Sequence, residues 1–105
     1  MKQIKLSKGL FALVDSDIFE HLNSMKWTAS SESGGKKWYA IRTVKGKKIR
    51  MHRYILELKG IEIRKGFVVD HVNHNSLDNR LFNLEIVTQR ENMLRSPGWK
   101  RKNEN

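Results

Sequence analysis

The chain has 105 residues, with 21 Lys and Arg against 11 Asp and Glu for a formal net charge of +10, nine aromatic side chains, one proline and no cysteine. That length excludes a large enzyme with a separate cofactor domain, and the missing cysteines exclude a disulfide framework and a thiolate zinc site. Apolar runs such as Phe67-Val68-Val69 are far too short to span a bilayer, and Met1-Lys2-Gln3-Ile4-Lys5 leads into no continuous apolar stretch of secretory type, so no membrane contact and a cytoplasmic location are expected.

In chain order, Ile4-Lys5-Leu6 and Leu10-Phe11-Ala12-Leu13-Val14 flank the turn-like Ser7-Lys8-Gly9 and predict a short β-hairpin. Asp15-Ser16-Asp17 offers N-cap candidates for a helix carrying Ile18, Phe19, Leu22 and Met25 at helical spacing. Two strands, Trp27-Thr28-Ala29 and Trp38-Tyr39-Ala40-Ile41-Arg42, lie on either side of a loop at Ser30–Gly35, and Lys47–Met51 forms a third across the turn at Lys45-Gly46. Alternation of basic and apolar residues puts Arg42, Lys48 and Arg50 on exposed faces. A short helix over His52–Leu58, ended by Gly60, follows from the spacing of Tyr54, Ile55 and Leu58, which are expected to pack in the core. His52, beside Arg53, has two readings: phosphate contact or half-buried packing.

Phe67–Val72 reads as an apolar strand ending in an acid and an imidazole, and the polar stretch Asn73–Arg80 follows it. Leu81-Phe82-Asn83 leads into a second strand, Leu84–Val87, and Thr88-Gln89-Arg90-Glu91 fits a capping box, so a helix begins there and stops at Ser96-Pro97-Gly98. The unit is strand, long loop, strand, helix. Asp70 and His71, adjacent on a strand, project to opposite sides unless the strand breaks there. A helix packed across the hairpin brings Asn92 beside Asp70, and one carboxylate with one amide oxygen makes a sparse Mg²⁺ site, since magnesium keeps waters and takes further oxygens from substrate phosphate.

Charge is unevenly spread. Residues 1–35 are neutral, residues 36–65 carry +9, residues 66–94 carry −2, and residues 95–105 carry +3. A basic stretch with interleaved aromatics suits a phosphate backbone, bound in a salt-dependent way through counterion release. The acidic island between positive flanks needs another explanation.

The run Val69-Asp70-His71-Val72 through Asn83, Leu84-Glu85-Ile86-Val87-Thr88 and Asn92 resembles the HNH endonuclease family, the ββα-metal (His-Me finger) nucleases of phage and intron homing type. A weaker likeness in Trp38–Arg42 and Met51–Ile55 extends to the AP2-like β-sheet module that precedes the motif in phage relatives. The resemblance implies an α+β protein, with an AP2-like DNA-contacting module at 1–59 (a small antiparallel sheet with helices), a ββα-metal motif at 60–95 and a basic tail at 96–105. It implies His71 as general base, Asp70 and Asn92 as ligands of one Mg²⁺ or Mn²⁺ ion, and Asn83 as the central asparagine that holds the loop and the base. Asparagine in place of histidine at the last motif position favours oxygen ligation over zinc, and no structural zinc is expected. Asn83 can accept a ring N–H of His71 or pin the loop backbone.

The expected activity is metal-dependent hydrolysis of phosphodiester bonds in DNA, by nicking or double-strand cleavage, leaving 5′-phosphate and 3′-hydroxyl ends, in a phage or mobile-element protein acting in a prokaryotic or phage-infected cell. Duplex DNA is the expected partner, with no small-molecule cofactor, for a monomer or weak homodimer. Arg42, Lys48, Arg50, Arg53, Arg80 and Arg90 are the candidate DNA contacts, with surface ion pairing the alternative for Arg80 and Arg90. His74 is expected to serve loop hydrogen bonding rather than act as the base, Asn73, Asn75 and Asn79 to form turns, and Asp78 to brace the loop. Leu77, Leu81, Phe82 and Leu84 are expected to support the motif by packing, and Trp99 to stack on a base or pack on the helix. Two alternatives are an inactive DNA-binding, packaging or regulatory protein on the same scaffold, and an RNA-binding basic protein; the second leaves the acidic island unexplained.

Overall fold

The computed structural model describes residues 1–32, 34–35 and 37–95. Its first hairpin joins β1 (Lys2–Lys5) antiparallel to β2 (Phe11–Val14), with Ile4 opposite Ala12. The two-residue side-chain period sets Ile4, Ala12 and Val14 on one face, and all three are buried. Helix α1 (Ser16–Asn23) follows and buries Ile18 and Leu22, one turn apart. Asp15 stands at its N-cap position without making a side-chain cap bond. Its carboxylate instead accepts the backbone N–H of Leu81 at 2.8 Å, so a residue expected to serve its own helix anchors a distant loop.

The second sheet has the order β3 (Thr28–Glu32), β4 (Lys37–Val44), β5 (Lys47–Arg50), all antiparallel. Lys45 and Gly46 connect the last two with φ of 49° and 79°, the two left-handed residues that a type I′ hairpin turn requires. Cross-strand pairs Ile41–Arg50 and Thr43–Lys48 place Lys48 and Arg50 on the face of Lys37 and Tyr39, whereas Arg42 pairs with Ile49 on the other face. The predicted cations thus divide between two faces.

Helix α2 (Met51–Leu58) buries Met51, His52, Ile55 and Leu56. Tyr54 is half-buried on its flank, but Leu58 is 43% exposed, contrary to the core position expected for it. Leu58 falls beside the buried arc in the final turn, where the core has ended. Gly60, at φ 76°, closes the helix by donating to the Glu57 carbonyl, and Ile61 donates to Leu56, the paired bonds of a Schellman cap.

The last unit pairs β6 (Phe67–His71) antiparallel with β7 (Leu84–Thr88), with a 3₁₀ turn at Leu81–Asn83 before β7, and packs α3 (Gln89–Arg95) on both strands. The capping box forms as the sequence predicts: Thr88 N–H donates to Glu91 Oε1 at 3.0 Å and Glu91 N–H to Thr88 Oγ1 at 3.1 Å. The architecture is α+β, with a ββα unit at its C-terminal end. Its principal apolar core lies under the N-terminal elements, where Ile4, Val14, Leu22, Trp27, Met51 and Ile55 meet. Leu77, Leu81 and Leu84 of the ββα unit pack against that core, but Phe82 is 72% exposed and does not support the motif as expected. The loop between β6 and β7 is also stitched to β2: Leu13 N–H donates to Leu77 O, and Asn79 N–H to Leu13 O, each at 2.8 Å. Among the described residues no helix is long and apolar enough to cross a membrane. The predicted helix stop at Ser96-Pro97-Gly98, Trp99 and the basic tail lie outside the described residues.

Candidate active site

Asp70 and His71 close β6 and are only 9% and 7% exposed. On a continuing strand they would point apart, but the chain turns immediately after them, with His74 N–H returning to His71 O at 2.8 Å and His74 itself left-handed at φ 64°. Both residues line one pocket of about 70 Å³, together with Asn92 from α3. Lys37 and Tyr39 of β4 line the same pocket, as do His74 and Ser76 of the loop. Ser76 donates through Oγ to the Trp38 carbonyl, which holds the loop against β4.

The surroundings of His71 are aromatic and polar in turn. Its Nε2 lies 2.8 Å from Asn79 Oδ1, its ring meets the ring of His52 edge-on at 5.1 Å, and Tyr39 lies 6.2 Å away. Burial pushes the His71 pKa down, against the opposing effects of the Asn79 bond and the Asp70 and Asp78 charges, with Lys37 reinforcing the fall. Burial thus favours the neutral imidazole. His52 is pushed further, to about 3, first by burial and then by the charges of His71, Arg50 and Arg53. A buried neutral ring of this kind is a packing element, which decides between the two readings of His52.

Asn83 does not bond the His71 ring. Its Oδ1 accepts Asn73 N–H at 3.0 Å, and its Nδ2 donates to Asn73 Oδ1 at 3.0 Å and to the Asp78 carbonyl at 2.8 Å, so it clamps the loop backbone. Asn73 and Asn75 form turns as expected, each accepting a backbone N–H two residues on. Asn79 departs from that expectation: it is 0% exposed, and its oxygen serves His71 instead of a local turn. Asp78 braces the loop, accepting from Asn73 Nδ2 and from Arg80 Nε and Nη2 at 2.8, 2.8 and 2.6 Å, and the guanidinium holds its carboxyl below the usual range.

Arg80 is thus ion-paired, and its guanidinium lies 4.6 Å from the Phe82 ring centroid. Arg50 pairs with Glu32 and lies 5.0 Å over Tyr39. Lys48 and Arg53 are exposed along a groove between β5 and α2, Arg90 is exposed on α3, and Arg42 is half-buried on the far face of the sheet. Among the described residues no group of three or more His, Cys, Asp or Glu is placed to hold a metal. The donors gathered in the pocket are instead one carboxylate and one amide oxygen. They suit a hard cation that completes its shell with water and phosphate oxygens, and they do not make a four-ligand zinc centre.

Sequence reasoning missed three residues here. Lys37 and Tyr39 belong to the basic, aromatic segment it had marked, but nothing local indicates that β4 reaches the end of β6. Asn79 was hidden among asparagines of identical local appearance.

The comparisons with known proteins agree with one another. Residues 50–94 match the family model described as HNH endonuclease. The chain is 34% identical over 87 residues to an uncharacterized HNH endonuclease of Acanthamoeba polyphaga mimivirus, covering 81% of this chain and 43% of that protein. It is 43% identical over 44 residues to an inferred, SPbeta prophage-derived HNH homing endonuclease of Bacillus subtilis (strain 168), covering 42% of this chain and 25% of the relative. The chain thus spans less than half the length of either relative. No solved structure matches it.

Proposed function

From the premise that the chain belongs, through residues 50–94, to the HNH endonuclease family, we propose that it hydrolyses phosphodiester bonds in duplex DNA, by nicking or double-strand cleavage. The observation that carries this reading is the meeting of Asp70, His71 and Asn92 in one pocket beneath the basic β4 strand. His71 acts as the general base: its neutral imidazole takes a proton from water, whose oxygen bonds to phosphorus as the P–O3′ bond breaks and the electron pair leaves on the 3′ oxygen. Asp70 and Asn92 would hold one Mg²⁺ or Mn²⁺ ion. When bound, such an ion supplies charge stabilisation at the phosphoryl and leaving oxygens. Asn83 keeps the loop in the shape that presents His71.

Lys37, at the pocket wall, supplies positive charge to the scissile phosphate. Lys48, Arg50 and Arg53 receive the flanking duplex backbone, together with Arg90, exposed on α3. Arg42, on the far face, and Arg80, held by Asp78, contribute through the overall field. The viral and prophage relatives support a phage or mobile-element source and action in an infected or prokaryotic cell.

A plasmid assay tests the reading. Supercoiled DNA incubated with purified protein and Mg²⁺ or Mn²⁺ is expected to relax or linearise, with cleavage abolished by EDTA and reduced at least 100-fold, on the order of what a general base supplies, in His71→Ala. No cleavage with either metal, or undiminished cleavage in His71→Ala, overturns it.

A further inference from the structure

We infer that Asn79 is a positioning residue for His71: it accepts the ring Nε2–H and so leaves Nδ1 with the lone pair, while the N-terminal hairpin holds Asn79 in place. The inference rests on the reading of His71 as base. An amide carbonyl oxygen can only accept, so the ring nitrogen 2.8 Å from Asn79 Oδ1 carries the hydrogen. A neutral imidazole has one N–H, and Nδ1 is therefore the basic nitrogen. When Nδ1 takes a proton, Nε2–H stays donated to Asn79, and no proton moves at the asparagine.

Three observations separate this role from that of an ordinary loop asparagine. Asn73 and Asn75, in the same loop, use their oxygens on backbone N–H groups two residues on; Asn79 does not. Asn79 is fully buried and its Nδ2 has no hydrogen-bond partner among the described residues, a desolvation cost that packing alone would avoid with an apolar side chain. Its backbone is fixed from far away in sequence, because Asn79 N–H donates to Leu13 O and Leu13 N–H to Leu77 O, with Leu13 and Asp78 forming a parallel bridge. β2 thereby becomes part of the mechanism: it sets Asn79, which sets the ring.

The test is a nitrogen-15 NMR experiment on the full chain, without metal or DNA, near neutral pH, in which the ring nitrogen shifts and their couplings to ring protons report the tautomer. The parent is expected to show His71 as the Nε2–H form. Asn79→Leu, which keeps the branching of the side chain and removes the acceptor, is expected to admit a measurable Nδ1–H population in the folded protein. Asn79→Asp, which keeps an acceptor, is expected to retain the Nε2–H form. In the plasmid assay Asn79→Leu is expected to lower kcat about 10- to 100-fold, the usual scale for an orienting partner, with KM for DNA held, and Asn79→Asp to recover most of the loss. An Nδ1–H tautomer in the parent overturns the inference, as does an Asn79→Leu protein with tautomer and kcat unchanged. If Asn79→Leu does not fold, the parent tautomer and the Asn79→Asp spectrum decide. If the parent shows the Nε2–H form but cuts no DNA, the positioning role stands and the nuclease reading falls.

Discussion

Asparagines of the same composition and neighbourhood do different work here, and the difference is one of partners. Asn83 has both ends of its amide satisfied by the loop it clamps, so it acts on the backbone; Asn79 gives one end to an imidazole and, among the described residues, leaves the other unmet. His52 shows the same dependence on surroundings. Its folded pKa lies near 3 against an ordinary 6.5, with His71, Tyr39, Arg50 and Arg53 around it and burial the largest cause. The fold favours the neutral ring, so the stabilisation is complete above 6.5 and is lost as pH falls from 6.5 toward 3. Between pH 6.5 and 4.5, above the ordinary carboxylate range, denaturant titrations should show the parent losing on the order of a few kcal/mol, while His52→Gln, which leaves the lowered His71 as the buried imidazole still to protonate, loses less. Parallel curves for the two proteins would count against the assignment.

At the scale of elements, α3 matters because it delivers Asn92 to the pocket, and its start is set by local chemistry. Thr88 and Glu91 satisfy each other's backbone N–H groups, a pattern written in four consecutive residues. Replacing Thr88 with Ala should cost about 1 kcal/mol in urea unfolding, the usual value of an N-cap. A loss near zero would mean that packing on β6 and β7 holds the helix without its cap. Strand pairing was equally legible, since the period of two and the Lys45-Gly46 turn specify β4 and β5. Less legible was the direction in which each element turns its faces. Leu58 belongs to the helical pattern yet stays exposed, because the pattern records spacing and only the packed core decides which flank is covered.

For the whole molecule, the +9 segment and the −2 segment are brought to the same pocket. Lys37 and Tyr39 of the first face Asp70, His71 and Asn92 of the second, so a site able to hold a cation sits under a surface able to hold phosphate. On this arrangement duplex binding should weaken linearly in log–log plots against salt, and Lys48→Ala or Arg53→Ala should each reduce the slope by about 1, with little change between DNA sequences. A slope unmoved by both substitutions would place the duplex elsewhere on the protein.

The amino-acid sequence by itself determined the order of elements, the capping box, the spacing of Asp70, His71, Asn83 and Asn92, and the charge contrast between segments, because each of these depends on residues close together in the chain or on composition. The tertiary structure alone decided that β4 walls the pocket, that Asp15 ties the loop instead of capping α1, that Phe82 faces solvent, and that Asn79 rather than Asn83 meets the His71 ring. Those outcomes turn on contacts between distant segments, above all the backbone bonds from Leu13 to Leu77 and Asn79, and identical local sequences would permit other partners for each of them.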